Sequence, residues 1–352
     1  MPSNPAKLLA TLPLAGVILL GFEESPKVSG EPVSPVEFKQ MRITEAWAKY
    51  DGVLTWGKGQ CLAILDDGCD LKAPEWQVSL PWGKKVVAGY DSIDRDDDPT
   101  PVPPGYHGTS VGFPSSLNYQ GKLGVAFNNQ IAPIRALRCV GGRCKERVTP
   151  ERDAESLAAG LRWVIDNHAR YNITAVNLSP GDGQRHQQPV PTVIDKPLKR
   201  LKKLGIWVSS PCGNAMQVEG ISWPACQRDV FGVGATKPGE DIAHLSRYRN
   251  ADILVPALYT SSSNAFIAGA AMVLREAIMT SQYRWKNDGH TLPEAMMSIF
   301  QKTGAKVEDP ESHLTFSRLD LLAALDYVYL AKERTLLPVE AAQDPARTAK
   351  QP

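Results

Sequence analysis

The chain has 352 residues, 43% of them hydrophobic and 22% charged, with 39 Lys and Arg against 38 Asp and Glu. That balance suits a globular protein and excludes long-range disorder. A formal charge of +1 argues against a dedicated nucleic-acid binder, which would be basic. No run approaches the roughly 20 apolar residues that each span of a polytopic membrane protein needs.

Lys7 precedes an apolar stretch, residues 8–22, closed by Glu23 and Glu24. A positive start followed by a short apolar region is the plan of a secretory signal, with an uncleaved membrane anchor as the variant. Residues 1–22 are therefore expected to direct the chain to a secreted or cell-envelope location. Residues 23–37, rich in Pro, Ser and Gly, read as a linker. Residues 334–352 are polar and Pro-containing and read as a disordered tail, which leaves 38–333 as the folded unit.

Short apolar runs end in Gly, Asp, Ser or Asn at 61–65, 86–88, 134–137, 173–178, 206–210, 230–233 and 253–255. Continuous runs of this length suit strands buried on both faces, as in a parallel sheet. Helical patterns lie between them. Thr149 is placed to cap a helix with Pro150 at its first position, and Leu157, Leu161, Val164 and Ile165 share one face. Further helices are predicted at 194–204, 264–279, from Leu292 onward, and at 319–331. Lys199, Arg200, Lys202 and Lys203 read as a solvated helix face. Strands alternating with helices imply an α/β fold with helices on both faces of a mostly parallel central sheet. Ligand sites in such folds lie at the carboxyl ends of the strands.

Six cysteines fit an exported protein with disulfides. Cys139 with Cys144, and Cys212 with Cys226, each close a short Gly-containing loop and are the expected pairs. A zinc site is the rival reading, without a CxxC motif to support it.

Four motifs carry chemistry. Asp66 ends an apolar strand in AILDDGCD, at the rim where α/β sheets place their reactions. His107 lies in GYHGTSVG, where an imidazole entering a helix can act as a general base near neutral pH. Asn214 follows a strand in SSPCGNAM and can donate its amide to an oxyanion. Ser261 lies in LYTSSSNAFIAGAAMVL, opening a helix whose free N–H groups favour developing negative charge. Each alone also reads blandly, as a turn or capping residue. Their order in the chain, Asp then His then Ser, is one of the three known orders of the serine-hydrolase triad.

On these motifs the chain resembles the subtilisin and kexin-like serine proteases, the subtilases, over most of 38–333. DDG after the first strand, YDSIDRDDDPTPV before HGTS, and GKLGVAFNNQIAPIRALR after it lean toward the kexin-like branch. LKKLGIWVSSPCGN, DVFGVGAT and TSSSNAFIAGAAMVLREA resemble the strands and the serine helix of the family. The resemblance implies a three-layer subtilisin-like fold and a serine endopeptidase that needs no cofactor for its chemistry. Ser261 is then the nucleophile, His107 its base, and Asp66 the residue that orients His107. Asn214 and the Ser261 backbone N–H form the oxyanion hole. Protein or peptide substrates are implied, held along Ser179, Pro180 and Gly181 as an added strand. Asp182 lies close enough in sequence to that segment to favour Lys or Arg in the first specificity pocket, or else is a turn residue. Glu75, Asp91 and Asp98, the last two in the acidic run 91–98, are candidate ligands for a structural calcium ion, with a solvated acidic loop as the other reading.

The chain departs from the family pattern at Tyr259, where Gly is usual, and at Ala265, where Pro is usual. It also has a short segment between Pro256 and Ser261. These departures keep a second reading open, a catalytically impaired subtilase-fold protein that binds peptides or partner proteins. A nucleotide-binding enzyme rests only on GVGAT, without GxGxxG or a phosphate-binding Lys motif.

Overall fold

The computed structural model describes residues 28–140 and 144–336, with side chains to residue 330. The expected signal segment and most of the expected tail lie outside the described residues. Among the described residues no helix is long and apolar enough to cross a membrane.

In chain order the strands are β1 (Glu31–Pro32), β2 (Cys61–Asp66), β3 (Ser79–Leu80), β4 (Gly83–Lys84), β5 (Tyr90–Asp91), β6 (Asn118–Tyr119), β7 (Lys122–Leu123) and β8 (Gln130–Arg135). They continue with β9 (Ile173–Leu178), β10 (Trp207–Pro211), β11 (Phe231–Thr236), β12 (Ala243–His244), β13 (Ile253–Pro256), β14 (Ala305–Asp309) and β15 (Leu314–Arg318). The helices are α1 (Pro35–Gln40), α2 (Ile43–Tyr50), α3 (His107–Val111), α4 (Phe113–Ser116), α5 (Pro150–Tyr171), α6 (Asp195–Lys203), α7 (Thr260–Ser281), α8 (Leu292–Thr303) and α9 (Leu321–Leu336).

The central sheet runs β14-β15-β13-β11-β10-β9-β2-β8-β5, with β12 paired to β11. All its pairings are parallel except β14 with β15 and β11 with β12. From β2 the chain builds outward on one side through β5 and β8, then crosses to β9 on the other. The gap between β2 and β9 is thus a topological switch point, the place where open α/β sheets bind their ligands.

Alternation along β2 shows why both faces are covered. Leu62 and Ile64 join one hydrophobic core with α1, α2, α7 and α9, while Cys61, Ala63 and Leu65 join a second core with α5 and α6. The layers are therefore helix, sheet, helix. α7 is apolar almost all round, as expected of a helix enclosed by protein, and residues 263–274 are all buried. Helix boundaries follow local chemistry. The Thr149 hydroxyl accepts from Arg152 N at 3.3 Å, and α8 opens on a capping box between Thr291 and Glu294.

The structure departs from the sequence reading in several places. The stretch read as a linker carries regular structure within its described residues: β1 pairs in parallel with β7, and α1 starts at Pro35. The apolar run at 86–88 contributes only a single bridge, Val86 to Ile131, and the strand comes later, at β5. The edge hairpin β14–β15 has mixed burial and gave no apolar run to find. Cys139 and Cys144 form a disulfide as expected. Cys212 and Cys226 are free, a correction with a local cause: the Cys226 thiol turns toward Gln227 Oε1 at 3.5 Å.

Candidate active site

Asp66 is the last residue of β2 and is fully buried. Its Oδ1 accepts from the Asp67 N–H at 2.8 Å, which fixes the plane of the carboxylate. His107 opens α3, and its Nδ1 lies 2.9 Å from both Asp66 oxygens. An ionised carboxylate only accepts, so Nδ1 carries the proton and Nε2 keeps its lone pair. Gly108 permits this approach: a Cβ there would stand 2.2 Å from Gly68 O and 2.8 Å from the Asp66 Cβ. Burial works to lower the His107 pKa, but the charge and hydrogen bond of Asp66, with the charge of Asp67, outweigh it and raise it above the usual value.

Ser261 stands in the first turn of α7, and α3 packs against both β2 and α7. Among the described residues no hydrogen bond joins Ser261 Oγ to His107 or to any other group. Hydrogen bonds of this kind are often long in the substrate-free state and tighten when substrate binds.

Asn214 follows β10. Its Oδ1 accepts from the Thr260 backbone N–H and from Thr260 Oγ1, each at 2.9 Å. Thr260 Oγ1 in turn accepts from Gly213 N at 3.3 Å. The amide is therefore anchored by its oxygen, and Nδ2 has no partner among the described residues. The backbone N–H of Ser261 is likewise unpartnered there, as the first N–H groups of a helix are. These are two donors of the kind an oxyanion needs.

Beneath the site, Asn264 is buried one turn after Ser261. Its Nδ2 donates to Asn177 Oδ1 at 2.6 Å, to Ser209 O at 3.1 Å and to Leu178 O at 3.3 Å. That amide pins the serine helix to the ends of β9 and β10. Sequence reasoning passed over it. The signal was an Asn inside an otherwise apolar helical run.

Ser179, Pro180 and Gly181 continue from β9. Gly181 and Gly213 both face Ser222, a buried residue whose hydroxyl has no partner. Asp182 is buried and fully engaged. Its Oδ1 accepts from Gln184 N and Trp223 N, and its Oδ2 meets His186 Nε2 at 2.6 Å. The carboxylate thus organises its own turn, with His186 as its partner.

The acidic run does not gather a cation site. Asp91 and Asp94 both bind the Arg135 guanidinium, the latter at 2.7 Å. Asp98 is exposed and accepts from Thr100 N at 3.0 Å. Among the described residues no three His, Cys, Asp or Glu side chains converge as a metal site. Arg135 thus supplies the positive charge beside Asp91 and Asp94, and among the described residues Glu75, Asp91 and Asp98 are not gathered into one cluster.

A model described as the Subtilase family matches residues 57–288. The chain is 23% identical to a thermophilic serine proteinase from Bacillus sp. strain AK1, over 76% of this chain and 62% of that protein. It is 28% identical to an extracellular serine proteinase from Thermus sp. strain Rt41A, over 68% of this chain and 54% of that protein. The chain thus spans a little over half the length of these curated relatives. Among solved structures, a cold adapted subtilisin-like serine proteinase superposes with a TM-score of 0.55 at 21% identity, covering 76% of this chain and 90% of that one. That likeness concerns the fold. The kexin-like lean rests on the motifs alone.

Proposed function

The chain belongs to the subtilase family, and from that premise we propose that it is a serine endopeptidase working through Asp66, His107 and Ser261. The observation that carries the reading is the placement of Nδ1 of His107 2.9 Å from both oxygens of a buried Asp66, at the switch point of the sheet.

In this reading an extended peptide lies along Ser179 to Gly181 as an added strand. Ser261 Oγ attacks the scissile carbonyl carbon, and its proton passes to His107 Nε2. The carbonyl oxygen becomes an oxyanion between Asn214 Nδ2 and the Ser261 N–H. Collapse breaks the C–N bond, and His107 returns the proton to the leaving amine. Water, deprotonated by the same imidazole, releases the acyl group. Asp66 holds the productive tautomer and stabilises the imidazolium. No cofactor enters the chemistry. Export belongs to the same proposal, supported by the apolar start of the chain, by the Cys139–Cys144 disulfide and by the extracellular Thermus relative.

The test is labelling with a fluorophosphonate, which reacts with an activated serine. The wild type is expected to label on Ser261, with Ser261→Ala abolishing the signal. A folded wild type that neither labels nor cleaves casein would overturn the peptidase reading, leaving the cleft as a peptide-binding surface.

A further inference from the structure

Asp67 is fully buried next to Asp66, yet the reaction scheme does not use it. Its Oδ1 accepts from Gly108 N at 2.8 Å. Its Oδ2 accepts from Val140 N at 3.1 Å and from His107 N at 3.3 Å. The residue at the N-cap of α3 is Tyr106, which gives the helix no side-chain cap. The first two N–H groups of α3 are served instead from across the fold, 40 residues upstream or more.

A helix of one turn has little stability of its own, because fixing the first turn costs more than its hydrogen bonds return. Its placement depends on what holds its end. A buried carboxylate accepting backbone N–H groups is the strong form of that restraint. Val140 stands beside Cys139, so the same carboxylate ties α3 to the loop that the disulfide closes.

We propose that Asp67 is a positioning residue for proteolysis: it holds the backbone of His107 and Gly108 so that the imidazole stays seated on Asp66. This rests on the peptidase reading above. The charged and titratable groups facing Asp67 are Asp66 on β2, Cys69 beyond the turn and His107 on α3. Burial, together with the Asp66 charge, pushes the Asp67 carboxyl up to about 6, against its hydrogen bonds from Gly108 and Val140. Its negative charge in turn helps to raise His107. The restraint is therefore strongest when Asp67 is ionised and weakens in mild acid.

The experiment measures the fluorophosphonate labelling rate against pH for the wild type, Asp67→Asn and Ser261→Ala, with thermal melts alongside. Asp67→Asn is expected to label at least about tenfold more slowly at its optimum, since small misplacements of a catalytic group are costly. Its acid limb should also move to lower pH, because the neutral amide no longer favours the imidazolium. A purely structural Asp67 would change the melt and leave that limb in place. An unmoved limb with a rate within about twofold of wild type overturns the proposal while the peptidase reading stands. A wild type that fails to label, or a Ser261→Ala variant that labels normally, overturns both. Should Asp67→Asn not fold, the wild-type profile decides. Loss of two required ionisations predicts an acid limb of slope approaching about two, and a slope of about one is fatal to the role.

Discussion

Nδ1 of His107 sits symmetrically between the two carboxylate oxygens of Asp66, 2.9 Å from each. Asp66 is therefore the side chain that fixes the plane and the tautomer of the imidazole. Asp66→Asn keeps the shape but presents an N–H to Nδ1, which favours the wrong tautomer. Peptidase activity should fall by about 10⁴-fold, with the fold retained by circular dichroism. An Asp66→Asn enzyme of ordinary rate would remove Asp66 from the mechanism.

Asn214 is held through its oxygen, so its amide group is the part free to act. Asn214→Ala should lower kcat by roughly 10²–10³ with little change in KM, because the donor matters only once the oxyanion forms. A change confined to KM would reassign Asn214 to ground-state binding.

Burial pushes the Asp252 carboxyl up to about 6, opposed by its hydrogen bond from Gly232 N and by the charge of Lys202. A carboxylate raised above its unfolded value favours the fold at low pH, and that contribution is lost as pH rises through about 6. Asp252→Asn should therefore raise the melting temperature relative to wild type at pH 8, by up to about 3 kcal/mol in stability. The advantage should shrink toward pH 4. Equal melts at pH 8 would show that the ionised carboxylate is not strained there.

Arg135 is buried between Asp91 and Asp94. Arg135→Gln leaves Asp91 as an uncompensated buried charge and should destabilise the protein by about 3–5 kcal/mol. Chelators, by contrast, should leave the wild-type melt unchanged. A clear drop in melting temperature with EDTA, restored by calcium, would return the acidic run to the calcium reading.

Asp182 serves two backbone N–H groups and His186. Asp182→Asn should cost about 1–3 kcal/mol of stability, the range for disturbing a buried hydrogen-bonding group. It should leave the preference for the residue before the scissile bond unchanged in a peptide library. A lost preference for Lys or Arg would give Asp182 the recognition role instead.

Much of this site is legible in the sequence for a local reason. Asp66 ends an apolar run, Asn214 follows one, and Ser261 opens a helix of small residues, so each is marked by its immediate neighbours. Asp67 and Arg135 carry no such mark, and the polar break that Asn264 makes in its apolar run does not name its partners, because the meaning of all three depends on residues far along the chain. Asp67 reaches Val140, 73 residues on, and Asn264 reaches Asn177, 87 residues back. The acidic run is a similar case: it shows its charge, but the counter-ion of Asp91 lies 44 residues downstream. In the fold, buried parallel strands announce themselves by unbroken apolar runs. The edge hairpin β14–β15, half open to water, does not.

The enclosure of α7 also bears on how such a molecule can change over generations. Between residues 263 and 274 every direction is occupied by neighbouring side chains, so substitutions there are judged by volume before chemistry. Novelty in what the molecule accepts has to arise in the turns around the cleft, where Tyr106, Met216 and Tyr259 face water and can be exchanged without disturbing the frame. A saturation-mutagenesis survey would accordingly find those turns permissive and the rod behind them intolerant of change.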